Sequence, residues 1–154
     1  MKPNRHRLLT TVLLGVIFLL TLLLFFIIKE KRLSEALAVP VYTYHDILSE
    51  GASSRAVVVD SVDEFEENLK ELKQGGFETV SFQDLLDYTN FRRLSLPDNP
   101  VILTFDDSWQ SHHTEVLPLL QKYDYSGTFF INSGWIDSAT DFMTWDQVRD
   151  LTHK

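Results

Sequence analysis

Cysteine is absent from this 154-residue chain. Disulfides therefore add nothing to its stability, and no thiolate is available to hold a metal. Internal repeats and low-complexity tracts are also missing, which excludes a repeat architecture. Positive charge is scarce beyond the N-terminal segment. Residues 1–32 hold six Lys or Arg and one acid, Glu30, a net of +5. The remainder carries 8 basic and 21 acidic side chains, a net of −13. Such a surface disfavours nucleic acid and anionic lipid as partners of that part. It suits a soluble extracellular domain and a neutral or cationic polymer.

What the chain does have is one long apolar run. Residues 8–28 contain neither charge nor proline. As a helix of about 31 Å they match a bilayer hydrocarbon core of about 30 Å. Lys2, Arg5 and Arg7 precede the run, and Lys29, Lys31 and Arg32 follow it. The free amino terminus tips the orientation toward a cytoplasmic N-terminus with the rest outside, as a single-pass protein of the cell membrane. The competing reading is secretion after cleavage following Ala38, because Ala36-Leu37-Ala38 has the small-x-small form of a signal-peptidase site. The run is longer than the usual h-region and a charged Lys-Glu-Lys-Arg block intervenes, so an uncleaved anchor is favoured. The chain thus divides into a flank and anchor (1–32), a linker (33–38) and a domain (39–154), large enough for one small core.

Within the domain, Val39 to His45 reads as a first strand with Pro40 at its start. Residues 46–56, including Gly51, Ser53 and Ser54, read as a polar loop. Ser61-Val-Asp-Glu64 forms a capping box ahead of Val62, Phe65, Leu69 and Leu72 at helical spacing, and Gly75-Gly76 closes that helix. Phe77–Phe82 predicts a short strand. Ser81 or Gln83 then starts a brief helix expected to bury Leu85 and Leu86. A turn-rich stretch leads to Pro100 and the strand Val-Ile-Leu-Thr-Phe at 101–105. Ser108–Tyr123 predicts a partly helical segment interrupted at Pro118. Gly127–Ile131 lacks alternation and predicts a fourth strand buried on both faces. Thr144-Trp-Asp-Gln147 is a last capping box, with Met143 and Val148 placed as a hydrophobic staple. Strands alternating with helices predict an α/β fold with a parallel sheet or barrel.

The strand at 101–105 ends in two adjacent carboxylates, Asp106 and Asp107. The carboxyl end of a buried parallel strand is where α/β folds gather ligands. Paired like charges need a cation, hydrogen bonds or solvent. The alternatives are a metal or acid/base site and a solvated Asp-Asp turn, and the strand in front favours the former.

These pieces resemble the polysaccharide deacetylase family, carbohydrate esterase family 4. The matching stretches are Val39-Pro-Val-Tyr-Thr-Tyr-His-Asp-Ile47, Thr104-Phe-Asp-Asp107, Thr114-Glu-Val-Leu-Pro-Leu-Leu120 and Gly127-Thr-Phe-Phe-Ile131. The resemblance covers roughly the first half of the family's catalytic domain. It implies a partial, distorted (β/α) barrel and metal-dependent hydrolysis of N-acetyl groups on sugars of a cell-wall or exopolysaccharide. By position it assigns Asp106 as general base and Asp107 as metal ligand, with a divalent metal, Zn, in the complete family domain. Trp135, after Asn132-Ser-Gly134, is a candidate for stacking on sugar at the rim. Trp109 is a weaker candidate, and Trp145 at a helix start is expected to pack.

Two departures stand out. Ser108 occupies the position where the family carries glycine. The family's His-x-x-x-His metal pair would lie beyond Lys154, so the chain alone is expected to be inactive. Adjacent His112 and His113 diverge on a helix and read as solvent-facing or rim residues. His45 reads as a structural hydrogen-bonding residue, His153 as exposed, and His6 as part of the basic flank. A non-enzymatic alternative is a glycan-binding fragment or one that a complementing chain completes. A cytoplasmic phospho-acceptor or phosphatase using the Asp pair is the third class, and it lacks visible phosphate contacts.

Overall fold

The computed structural model describes residues 5–49, 51–52, 54, 56 and 58–152. Ser53 and His153 lie outside them. The apolar run forms one continuous helix, α1 (Arg5–Leu37), whose span from Arg7 is long and apolar enough to cross a membrane. The apolar stretch of this helix is exposed throughout.

The domain is built on β5 (Pro100–Phe105), whose five residues from Val101 on are buried. It pairs in parallel with β1 (Val41–Tyr44) along one edge, in the register Val41 with Ile102 through Tyr44 with Phe105. Its other edge is shared by two short strands laid end to end. β4 (Glu78–Thr79) pairs with Pro100 and Val101, and β6 (Thr128–Phe129) with Thr104 and Phe105. The carbonyls of Asn99, Val101 and Phe105 receive those bonds, while the amides of Ile102 and Asp106 serve β1. Thr79 Oγ1 bridges the hand-over from β4 to β6 by accepting from the Ser126 amide.

Successive side chains on β5 point to opposite faces. Val101, Leu103 and Phe105 enter the main core with Tyr44, Ile47, Phe65, Leu69, Val116, Leu120 and Tyr125. Ile102 joins Val39 and Val80 in a second cluster on the other face. Each such fully buried aliphatic or aromatic side chain contributes about 1.5–3 kcal/mol. Beyond Ile102 on that second face come Thr104 and Asp106, so an apolar layer closes the inner face below and polar residues occupy the mouth.

Local signals produced the helices. The capping boxes at Ser61 and Glu64 and at Thr144 and Gln147 are both formed. They open α2 (Val62–Gln74), which buries Phe65, Leu69 and Leu72, and α5 (Trp145–Asp150). α3 (Phe82–Thr89) starts from Ser81, whose hydroxyl accepts from the Asp84 amide. Gly127 is required by packing: a Cβ there would come within 2.6 Å of the Phe105 ring.

Several expectations need correction. Residues 46–56 are not all loop: β2 (Asp46–Leu48) pairs in parallel with β3 (Val59–Ser61). Leu86 is not buried but 54% exposed, and Leu85 and Tyr88 face inward instead. The strand at Phe77–Phe82 shrinks to β4, because Ser81 is already capping a helix. The fourth strand is β6 alone. It is only partly buried, since Phe129 packs on the core while Phe130 faces out. Ser108–Tyr123 is a turn, then a π-helical segment (His112–Val116), then α4 (Leu117–Tyr123), in which Pro118 sits in the first turn and does not interrupt it. The proline removes one amide just where the π-helical segment hands over to α4. Trp145 is exposed instead of packed.

Candidate active site

Asp106 extends the ladder by donating its amide to Tyr44 O at 3.0 Å, and there the strand ends. Asp107 and Ser108 then take left-handed backbone angles, with φ of 73° and 63°. For non-glycine residues this conformation is uncommon, though Asp tolerates it better than most. It persists because the turn is tied on several sides. The buried Ser108 accepts from the Asn132 amide through its Oγ at 2.7 Å. Its carbonyl accepts from the Met143 amide at 3.0 Å, and Gln110 donates to Asp141 O at 2.8 Å. Serine at a position that suits glycine thus carries a backbone penalty and offers a hydroxyl in return.

The two carboxylates line a cleft of about 500 Å³ at the carboxyl end of the sheet. Val41, Thr43, Thr104, Phe82 and Phe130 form its walls, and Asn132 closes it beside the acids. Asp106 and Asp107 therefore share one cavity, as the sequence suggested. Trp135 lies outside the cleft lining. It is 39% exposed, and its ring packs at 5.1 Å on Phe142. Trp109 is buried and stacked on the same Phe142, so it has no face free for a sugar.

His45 stands beside the pair. Its Nε2 is 4.0 Å from Asp107 Oδ2, too long for a hydrogen bond, and its buried Nδ1 has no partner among the described residues. Among the described residues its ring makes no hydrogen bond, in place of the structural one expected; its carbonyl is used instead. His112 Nε2 donates to His45 O at 2.8 Å. His112 corrects the rim expectation outright. It is fully buried, edge-on to Phe105, because the turn after the Asp pair and the π-helical segment rotate it inward against β2. Burial pushes its imidazolium pKa down, against the raising effects of the His45 carbonyl and of Asp46, Asp106 and Asp107. The ring is therefore neutral, with its proton on Nε2. His113 is partly exposed, its Nε2 3.0 Å from Asp150 on α5.

Among the described residues, no three His, Asp or Glu side chains converge on one point. Asp107 and His45 alone fall short of the three protein ligands that a catalytic zinc centre uses. The donor set does not fit a metal centre by itself.

Residues 93–154 match the family model described as polysaccharide deacetylase. Over part of its length the chain is thus similar to the polysaccharide deacetylases. The poly-beta-1,6-N-acetyl-D-glucosamine N-deacetylase of Escherichia coli K12 is 28% identical over 123 residues, covering 71% of this chain and 18% of that protein. A solved de-N-acetylase from Aggregatibacter actinomycetemcomitans superposes with a TM-score of 0.66 at 26% identity, over 74% of this chain and 50% of its own. IcaB from Ammonifex degensii gives 0.62 at 31% identity, over 74% and 48%. The chain thus spans about half the length of these solved relatives and less than a fifth of the curated one. The deacetylase resemblance and the partial (β/α) barrel both stand, and the family is generally metal-dependent.

Proposed function

We propose that this chain is a membrane-anchored, extracytoplasmic portion of an exopolysaccharide N-deacetylase. Its substrate class is a polymer of N-acetylated hexosamine such as the β-1,6-linked N-acetylglucosamine named for its E. coli relative. The observation that carries the reading is the meeting of Asp106 and Asp107 in one cleft at the carboxyl tip of β5. Residues 39–154 are the domain, residues 8–28 the anchor, and residues 33–38 the link.

On this reading Asp106 is the base that accepts a proton from the water attacking the acetamide carbonyl. It leaves the strand on the inner face beside Thr104, with substrate space in front of it. Asp107 is this chain's contribution to a metal donor set that polypeptide other than the described residues completes. Trp135, half exposed, would meet the polymer only outside the cleft, as a rim contact. With the donor set short, the chain alone releases no acetate.

Acetate release from poly-β-1,6-N-acetylglucosamine oligomers tests this with the full chain in detergent micelles. The expected result is none for the chain alone. Adding a fragment that carries a deacetylase His-x-x-x-His segment should restore release, and Asp106→Asn should abolish the restored activity. Saturable binding of the oligomers, with no restoration by any such fragment, would favour a glycan-binding role, which the incomplete donor set also suits.

A further inference from the structure

The end of α1 does not lead into the domain as a free tether. Arg32 reaches across to α3 and the turn after it, donating to the carbonyls of Tyr88, Arg93 and Leu94 at 2.8, 2.9 and 3.2 Å. Its guanidinium lies 4.6 Å from the centres of both the Tyr88 and Phe91 rings. Glu35 accepts from the Tyr88 hydroxyl one turn further on. Most informative is Phe25, inside the apolar run, which stacks on Phe91 at 5.3 Å.

That contact fixes a depth. Phe25 precedes Lys29, the first charge after the run, by four residues, or about 6 Å of helix. Phe91 therefore sits on the lipid side of the level at which α1 becomes charged. Around it the turn is amphipathic. Leu94 is 89% exposed and Leu86 54%, while the Arg92 side chain is 75% exposed and lies 3.8 Å from Asp87. Arg93, by contrast, is tied to Asp84 and to Ser95 O. Apolar side chains beside a long arginine are the composition of a segment that rests in the headgroup–acyl boundary, the arginine extending its charge back to water.

We propose that the turn Phe91–Leu94 is a second membrane contact, seated in the bilayer interface alongside α1. The helix and domain are then locked in one orientation to the membrane. The partner is the bilayer boundary itself. Headgroup charge is secondary, since the acidic remainder of the domain gains nothing from anionic lipid. This deepens the anchor reading and rests on it.

Because the chain has no cysteine, a single reporter can be placed cleanly. Leu94→Cys and, on the exposed face of α2, Glu67→Cys would each carry an environment-sensitive fluorophore on the full chain in phosphatidylcholine vesicles. The expected result is a blue-shifted probe at 94, quenched by lipid-borne spin labels and shielded several-fold from iodide, with the probe at 67 showing the reverse. If vesicles float with the chain yet both probes are equally open to iodide, the interfacial contact is overturned while the anchor stands. Failure to float overturns both. Shielding at 94 that disappears as the protein-to-lipid ratio falls would assign the turn to a second copy of the chain and also overturn the proposal. Phe91→Asp on the 94-labelled chain should restore iodide access without preventing flotation.

Discussion

Two acidic regions flank His45, and they are held in opposite ways. Asp46, the residue after it, is buried. It accepts from the Ser54 hydroxyl and from Ser111 Oγ at 2.7 Å, and Ser111 Oγ in turn accepts from the Ile47 amide at 3.3 Å. Asp106 and Asp107 face an open cleft; among the described residues no side-chain hydrogen bond reaches either carboxylate, and His45 stands 4.0 Å from Asp107. A carboxylate whose lone pairs are already used by neighbouring donors holds structure together. One left facing a cavity on an over-determined turn is free for chemistry.

The sharpest way to break this contrast is Asp46→Ala. It strands two hydroxyl donors in a buried pocket, so denaturant melting of the full chain should show a loss of roughly 2–4 kcal/mol. A loss under about 0.5 kcal/mol would mean that the network around Asp46 is incidental.

Next in size is a pH effect that belongs to the same buried side. Burial lowers the pKa of His112 in the folded chain. Above the ordinary histidine value of about 6.5 the ring is neutral folded or unfolded, and its contribution is fully present. As pH falls from there toward the lowered folded value, the unfolded chain takes up a proton that the folded one refuses, and stability is lost. His112→Gln keeps a donor for the His45 carbonyl and removes the titration. The difference in melting between variant and parent should therefore shrink or reverse from pH 7.5 to pH 5.5. A constant difference across that range would show that His112 is not held neutral.

How much of this was legible in the residues alone depends on range. The capping boxes at Ser61 and Thr144 and the apolar spacing of Phe65, Leu69 and Leu72 are local, and they read through directly. So does β5, because five successive buried residues before two acids admit few placements. β2 and β3 did not, since three-residue strands carry no usable period and exist through each other. The inward turn of His112 and the grip of Arg32 on α3 depend on contacts 67 and 56–62 residues apart in sequence. Such positions reveal themselves only once the sheet has brought them together. The Asp pair was found from its strand. Its support by Ser108 and Asn132 was hinted at only by the serine in a glycine's place.

That serine gives a smaller test. Ser108→Ala keeps the left-handed backbone and loses the acceptor for the Asn132 amide, while Ser108→Gly loses the acceptor but relieves the backbone. Glycine should therefore be the more stable variant by about 1 kcal/mol, with alanine about 1–2 kcal/mol below the parent. Equal stabilities would mean that the positive φ at Ser108 carries no penalty in this turn.

The smallest stability change is expected at the cleft itself, and for the comparison it is the most telling. Asp107→Asn retains a residue that tolerates a φ of 73°, keeps the side-chain size and removes one of two adjacent negative charges. The folded chain should stay within about 0.5 kcal/mol of the parent, where Asp46→Ala loses several times more. With the chain supplemented by the His-x-x-x-His fragment, calorimetric titration with Zn²⁺ should move the other way, with weaker binding in Asp107→Asn and unchanged binding in Asp46→Ala variants that remain folded. Removing a carboxylate that structure does not need yet metal does is the signature of a site. If Asp107→Asn instead destabilised the chain as much as Asp46→Ala and left Zn²⁺ binding untouched, the cleft acids would belong with Asp46 among the structural ones.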